Sequence, residues 1–305
     1  MIRTLMNYWA WFATIMCVVI GTPIVAVIFV CTAPFDKGRY AAGRAFRLVA
    51  VTSLKINPLW RFKTRGRLAD PRRPYVVVAN HESYADVFLI SRFPWEMKWL
   101  SKDTMFKVPL MGWMMQMAGD IRLVRGNRDS AADAIVQCRD RLTKRVSVMI
   151  FPEGTRSRTS EMLPFKDGAF RLAIDSGSPI LPIAVAGTRY AMAKGSFRFQ
   201  PARALAEHLE PIETTGMTLA DIPALKVRVR DSIDAGRRRL ARELGIVLGE
   251  SSSAIDAAST STSTSTSTNT NTDTSTSTST STSTSTNTNT NTDTDTEVDV
   301  DESDG

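Results

Sequence analysis

Tyr75-Val76-Val77-Val78-Ala79-Asn80-His81-Glu82-Ser83-Tyr84-Ala85-Asp86 is the stretch on which the fold of this chain turns. Its short apolar opening predicts a strand. The polar residues that follow predict the strand's exit and the first turn of a helix starting near Asp86. In a straight helix, residues five apart lie about 140° apart around the axis, so His81 and Asp86 would not meet. A strand-to-helix bend would bring them together. An aspartate accepting from one imidazole nitrogen fixes the tautomer and leaves the other nitrogen to take a proton from a hydroxyl. With an unperturbed pKa of about 6.5, histidine suits that task near neutral pH. The plain alternative for an isolated His beside an Asp is a structural turn.

Outward from this stretch, short apolar runs alternate with helical patterns. Strands are expected at Tyr75–Ala79, Lys98–Leu100, Ile121–Val124, Val146–Phe151 and Ile180–Ala186. Helices are expected near Asp86–Arg92, Met105–Met117, Ser130–Lys144, Gly168–Asp175 and Leu225–Leu244. This alternation predicts an α/β domain with a mixed, mostly parallel sheet flanked by helices, in which functional groups gather where strands end. Phe151-Pro152-Glu153-Gly154-Thr155-Arg156-Ser157 follows one such strand. Gly154 permits a tight turn, and the planar donor fork of Arg156 suits a phosphate or carboxylate. Glu153 is expected to order that turn. Lys102 ends another strand, and Arg122 and Arg125 stand in Gly119-Asp120-Ile121-Arg122-Leu123-Val124-Arg125-Gly126, where strand alternation would aim them at opposite faces. The other histidine, His208, stands in a helical-looking Ala-Leu-Ala-Glu-His-Leu-Glu context with no motif attached.

Residues 9–33 carry no charge over more than the roughly 20 residues a helical span needs, which predicts a membrane helix. Gly21-Thr22-Pro23 near its middle leaves two forms open, a kinked helix or a re-entrant hairpin. Lys37, Arg39, Arg44, Arg47, Lys55, Arg61, Lys63, Arg65 and Arg67 follow, which by the positive-inside rule predicts a catalytic domain on the cytoplasmic side of the cell membrane. Tyr40–Ile56 reads either as an interfacial amphipathic helix or as one packed on the core. The expected domains are therefore an anchor at 1–56, a catalytic domain at 57–250 and a tail at 251–305.

That tail is almost wholly Ser, Thr, Asn and Asp and offers no apolar face, so it is expected to be disordered. It carries nine acidic residues and no Lys or Arg, so residues 1–250 hold +16 against +7 for the whole chain. This balance favours anionic surfaces or substrates. No cluster of cations with aromatics marks a nucleic-acid module, and nucleic acid is not expected as a partner. Cys17, Cys31 and Cys138 lack zinc or redox spacing, and no metal site is expected.

Taken in order, Asn80–Asp86, Gly119–Gly126, Phe151–Ser157 and Ser178-Pro179-Ile180-Leu181-Pro182-Ile183-Ala184-Val185 resemble the four blocks of the glycerolipid acyltransferase family, nearest to its bacterial 1-acylglycerol-3-phosphate members. The likeness runs over roughly residues 60–230. It implies that His81 is the general base and Asp86 its orienting partner. It also implies that Lys102, Arg125 and Arg156, with Glu153, Gly154 and Thr155 of the turn, form the acceptor-binding side, and that Pro179 and Ile180 help shape the acyl-donor side. The implied reaction moves an acyl group from acyl-CoA or acyl carrier protein to the sn-2 hydroxyl of lysophosphatidic acid. Membrane lipids are then partners, no bound cofactor is required, and no covalent acyl-enzyme forms. Glycerol 3-phosphate or a lyso-ornithine lipid is the alternative acceptor. Because the tail brings no apolar area to a core, deleting residues 251–305 should leave specific activity within about twofold, as measured on matched amounts of folded protein.

Overall fold

In a computed structural model, the structure describes residues 2–66, 70, 73–157, 159–192 and 195–248. Arg67 and the expected tail at 251–305 lie outside the described residues. The elements run α1 (Ile2–Thr32), α2 (Tyr40–Ile56), β1 (Trp60–Arg65), β2 (Val76–Ala79), α3 (Ala85–Ile90), β3 (Met97–Lys102), α4 (Asp103–Phe106), α5 (Met111–Ala118), β4 (Ile121–Leu123), α6 (Arg128–Thr143), β5 (Ser147–Ile150), α7 (Gly168–Ser176), β6 (Ile180–Ala186), α8 (Thr188–Ala191), β7 (Ala202–His208) and α9 (Ile222–Leu244).

The strands form one sheet in the order β1-β7-β6-β2-β5-β3-β4. β2 to β6 all run the same way, whereas β7 pairs antiparallel with β6 and β1 runs parallel to β7. The sheet is thus mixed and mostly parallel. Helices cover both faces, which explains why β2 is apolar without alternation. Val77 and Ala79 pack on one face with Leu89, Phe93 and Trp95, while Val76 and Val78 pack on the other with Cys138, Leu172 and Val229. Parallel β2–β5 and β2–β6 pairing sets the exits of these central strands at one end of the sheet. That end carries both motif turns.

Several expectations change. Among the described residues there are two further strands, β1 and β7, and His208 ends β7 rather than lying on a helix. Its ring packs against Phe93 and Trp95, 5.8 Å and 5.3 Å between centroids, so tertiary contacts override the helix-forming Ala-Leu-Ala-Glu composition. The single helix expected over Met105–Met117 is two, α4 and α5, because Pro109 and the positive φ of Leu110 (62°) break it. Pro23 sits inside a continuous α1, so the segment is one helix and not a hairpin.

α1 is the one described helix long and apolar enough to cross a membrane, by length and composition. Its N-terminal half also touches the domain, where Trp11 Nε1 donates to the Phe197 carbonyl and the Phe199 N–H donates to Asn7 Oδ1. α2 packs on the domain through its cations as much as its apolar side chains. Arg47 is buried and paired with Asp120, and its Nε lies 3.8 Å from Glu96 Oε1. Lys98 Nζ meets the same Glu96 oxygen at 3.1 Å and donates to the Arg39 carbonyl. Desolvation pushes the Glu96 carboxyl up and the Lys98 ammonium down. Gly43 has no side chain because a Cβ there would collide with Glu96 Oε1 and Lys98 Nζ.

Removing one member of such a cluster strands a buried charge. Asp120→Ala should therefore cost about 3–5 kcal/mol in chemical denaturation. Arg47→Met with Asp120→Leu should cost less than Asp120→Ala alone. A single variant as stable as the wild type would show that the pair does not hold α2 in place.

Candidate active site

The chain leaves β2 at Ala79, bends through residues 80–84 and enters α3 at Ala85. Asn80 anchors the bend to the next strand: its Nδ2 donates to the Val185 carbonyl at 2.9 Å and its Oδ1 accepts the Val185 N–H at 2.8 Å. The bend brings His81 and Asp86 face to face, with Nδ1 2.7 Å from Asp86 Oδ2. The same carboxylate oxygen accepts the N–H groups of Glu82 at 2.8 Å and Ser83 at 3.0 Å. Asp86 is fully buried, whereas the His81 side chain keeps 13% of its surface. With Nδ1 donating to Asp86, Nε2 is the nitrogen left for a substrate proton.

The second turn holds the first. Glu153 Oε1 accepts the His81 N–H at 2.8 Å, and the Ser157 N–H donates to the His81 carbonyl at 3.0 Å. Both backbone groups of His81 are thereby fixed by Phe151–Ser157. The His81 ring also stacks on Phe151, with centroids 3.9 Å apart and planes 16° apart. Glu153 Oε2 accepts the Leu163 N–H at 2.8 Å, and burial pushes its carboxyl up despite these two donors. Expected on the acceptor side, Glu153 instead braces His81 from behind the pocket wall. Gly154 takes a positive φ of 68°, the left-handed conformation the tight turn needs.

His81 lines a pocket of about 630 Å³. Lys102, Arg125, Gly154, Thr155 and Arg156 line it too, so the structure gathers the expected cations around one cavity. The Arg156 guanidinium lies over the Tyr84 ring, 3.7 Å from its centroid, which joins the two turns a third time. Arg125 lies beyond the end of β4, so strand alternation does not govern its direction. Arg122 lies instead over the Phe106 ring at 5.1 Å. The remaining wall includes Trp99, Met111, Met115, Leu123, Ile135 and Ile150, so apolar side chains line the same cavity as the cations.

Pro179 and Ile180 do not shape this pocket. Ile180 pairs with Val76 at the start of β2, at the opposite end of the sheet from His81, and is core. Cys138 is buried, which pushes its thiol up to about 12 and leaves it no role as a nucleophile. Sequence reasoning missed Thr188, whose hydroxyl donates to Asp86 Oδ1. Its position just past the exit of β6, parallel to β2, was the available signal. Among the described residues no group of His, Cys, Asp and Glu is arranged to hold a metal ion.

Residues 61–186 match the family model described as Acyltransferase. The chain is 36% identical over 146 residues to a chloroplastic 1-acyl-sn-glycerol-3-phosphate acyltransferase of Brassica napus, covering 47% of this chain and 42% of that protein. It is 36% identical over 166 residues to the 1-acyl-sn-glycerol-3-phosphate acyltransferase of Saccharomyces cerevisiae, covering 53% and 55%. It is 35% identical over 165 residues to the human alpha form, covering 53% and 58%. The chain thus spans about half the length of these curated relatives. The crystal structure of the 1-acyl-sn-glycerophosphate acyltransferase of Thermotoga maritima shares the fold, with a TM-score of 0.66 and 23% identity over 81% of this chain and 98% of that one. The segment matched by that family model, 61 to 186, contains both interlocked turns and the central strands that align them.

Proposed function

We propose that this chain transfers a fatty acyl group from an acyl thioester, acyl-CoA or acyl carrier protein, to the sn-2 hydroxyl of 1-acyl-sn-glycerol 3-phosphate, giving phosphatidic acid. The observation that carries this reading is the His81–Asp86 pair, 2.7 Å apart, at a pocket lined by cations and by apolar side chains. An alcohol is a poor nucleophile until its proton leaves as the new bond forms. His81 Nε2 takes that proton while Asp86 holds the imidazolium. The hydroxyl oxygen attacks the thioester carbonyl, the tetrahedral intermediate collapses, and the departing thiolate recovers the proton from His81. No covalent acyl-enzyme intervenes.

Lys102, Arg125 and Arg156 hold the acceptor's phosphate, and the apolar part of the lining takes hydrocarbon. In this reading α1 lodges in the membrane, and the positive-inside rule applied to the cations that follow it supports a catalytic domain on the cytoplasmic side. A phosphate-selective, membrane-borne acceptor matches both features of the pocket.

The direct test incubates membranes containing the full chain with lysophosphatidic acid and each acyl donor, and identifies the product by mass spectrometry. Phosphatidic acid is expected. Product only from glycerol 3-phosphate or a lyso-ornithine lipid would move the acceptor assignment. His81→Ala should abolish transfer, and Asp86→Asn should leave weak residual activity because the imidazole survives without its orienting carboxylate. Wild-type turnover by folded His81→Ala would remove His81 as the base. Arg156→Lys keeps the charge but loses the planar fork and its stacking on Tyr84, so acceptor binding should weaken by about 1.5–3 kcal/mol. The signature is a higher Michaelis constant for lysolipid with that for the donor little changed. The reverse pattern would assign the turn to the thioester side.

A further inference from the structure

Two buried side chains outside the pocket lining, Thr188 and Glu82, stand behind Asp86. Asp86 Oδ2 is occupied by His81, Glu82 N–H and Ser83 N–H. Its other oxygen, Oδ1, accepts the hydroxyl of Thr188, the first residue of α8. That hydroxyl also lies 3.3 Å from Glu82 Oε2, which accepts the Arg189 N–H at 3.4 Å. Thr188 and Glu82 are both buried, at 0% and 6% exposure, so solvent cannot stand in for either partner.

Resting on the acyl-transfer reading above, we propose that Thr188 and Glu82 are positioning residues for this reaction: the Thr188 hydroxyl fixes the rotation of the Asp86 carboxylate, and the Glu82 carboxyl fixes the hydroxyl. A carboxylate that turned about its Cβ–Cγ bond would misalign the imidazole, and the donor on Oδ1 prevents that turn. A threonine hydroxyl has one proton and cannot donate to two carboxylates at once. The closer neighbour is Asp86, so the contact with Glu82 is satisfied when Glu82 carries a proton and donates to the hydroxyl oxygen.

Burial, and then the nearby Asp86 charge, push the Glu82 carboxyl up to about 7, against the partial counterweight of Arg189 on α8 and Arg237 on α9. Asp86 itself faces His81, and its charge also reaches Glu153. Below about pH 7 the chain of donors runs Glu82 to Thr188 to Asp86, with His81 donating to the far oxygen. Above it the ionised Glu82 competes for the Thr188 proton and releases Asp86 Oδ1. Nothing in Asn80–Asp86 alone reveals this layer, because Thr188 lies 102 residues beyond Asp86.

The test uses the full chain with Thr188→Val, Thr188→Ser and Glu82→Gln. Thr188→Val, close to isosteric but without the hydroxyl, should lower kcat about tenfold with both Michaelis constants within about twofold, and Thr188→Ser should restore most of it. Wild-type kcat should decline as pH rises through about 7, and Glu82→Gln, which cannot ionise, should lose that decline. A readout independent of turnover comes from 15N-histidine NMR, since the chain has only two histidines. Thr188→Val should shift the His81 ring signals and leave those of His208 in place. Wild-type kcat and an unmoved His81 spectrum in Thr188→Val would overturn the proposal, as would an unchanged pH profile in Glu82→Gln should Thr188→Val fail to fold. A wild type that forms no acylated product overturns the acyl-transfer reading instead, while the NMR arm still decides whether Thr188 positions the pair.

Discussion

Glu153 places a buried carboxylate between two backbone N–H groups, that of His81 on one turn and that of Leu163 on the segment beyond the other. An acceptor buried in this way is costly unless its oxygens are used, and here each has a donor. The turn that follows β5 is thereby tied to the turn that follows β2. Ser157 closes the same link from the other side by donating to the His81 carbonyl. Once these bonds form, His81 has no backbone freedom, and the stacking of its ring on Phe151 leaves the side chain little of its own. The reactive nitrogen is presented by a lock between two strand exits rather than by either turn alone.

The lock needs neighbouring strands that run the same way. β2 lies between β5 and β6, parallel to both, so three exits meet at one end and contribute His81, Glu153 and Thr188. β7 and β1 run the opposite way and carry core side chains and packing contacts in place of site residues. On the far side, β3 and β4 end in Lys102 and, just beyond, Arg125, which brings cations to the pocket from strands that never touch β2. The buried Arg47–Glu96–Lys98–Asp120 cluster fixes α2 against these strands. It also carries Arg47 and Asp120 to the pocket wall, so the packing of the N-terminal helices and the shape of the cavity are one problem.

The sequence carried its strongest signals where local chemistry and periodicity agreed. Tyr75–Ala79 read as an apolar strand, the five-residue spacing of His81 and Asp86 demanded a bend, and the uncharged run from residue 9 to 33 demanded an apolar setting. It misled where composition and environment disagreed. Ala204-Leu205-Ala206-Glu207 has the makings of a helix, yet pairing with β1 on one side and β6 on the other, with Trp95 and Phe93 packed on His208, makes it a strand. Arg47 stands in the sequence only as one of the cations after the apolar run, on a helix of undecided setting, yet Asp120 and Glu96 make its burial tolerable.

What the sequence determined by itself is the alternation that yields an α/β sheet and the identity of the groups able to move a proton and bind a phosphate, because these depend on residue type and on spacings of a few residues. The tertiary structure alone decided which of those groups share a cavity and which only support it. Glu153 faces backbone rather than ligand, Ile180 lies at the wrong end of its strand, and Thr188 completes the hydrogen bonding of Asp86 from a different strand exit. Each of these roles rests on a contact between residues far apart in the chain, and such contacts arise from strand order and direction, which no short stretch of sequence encodes.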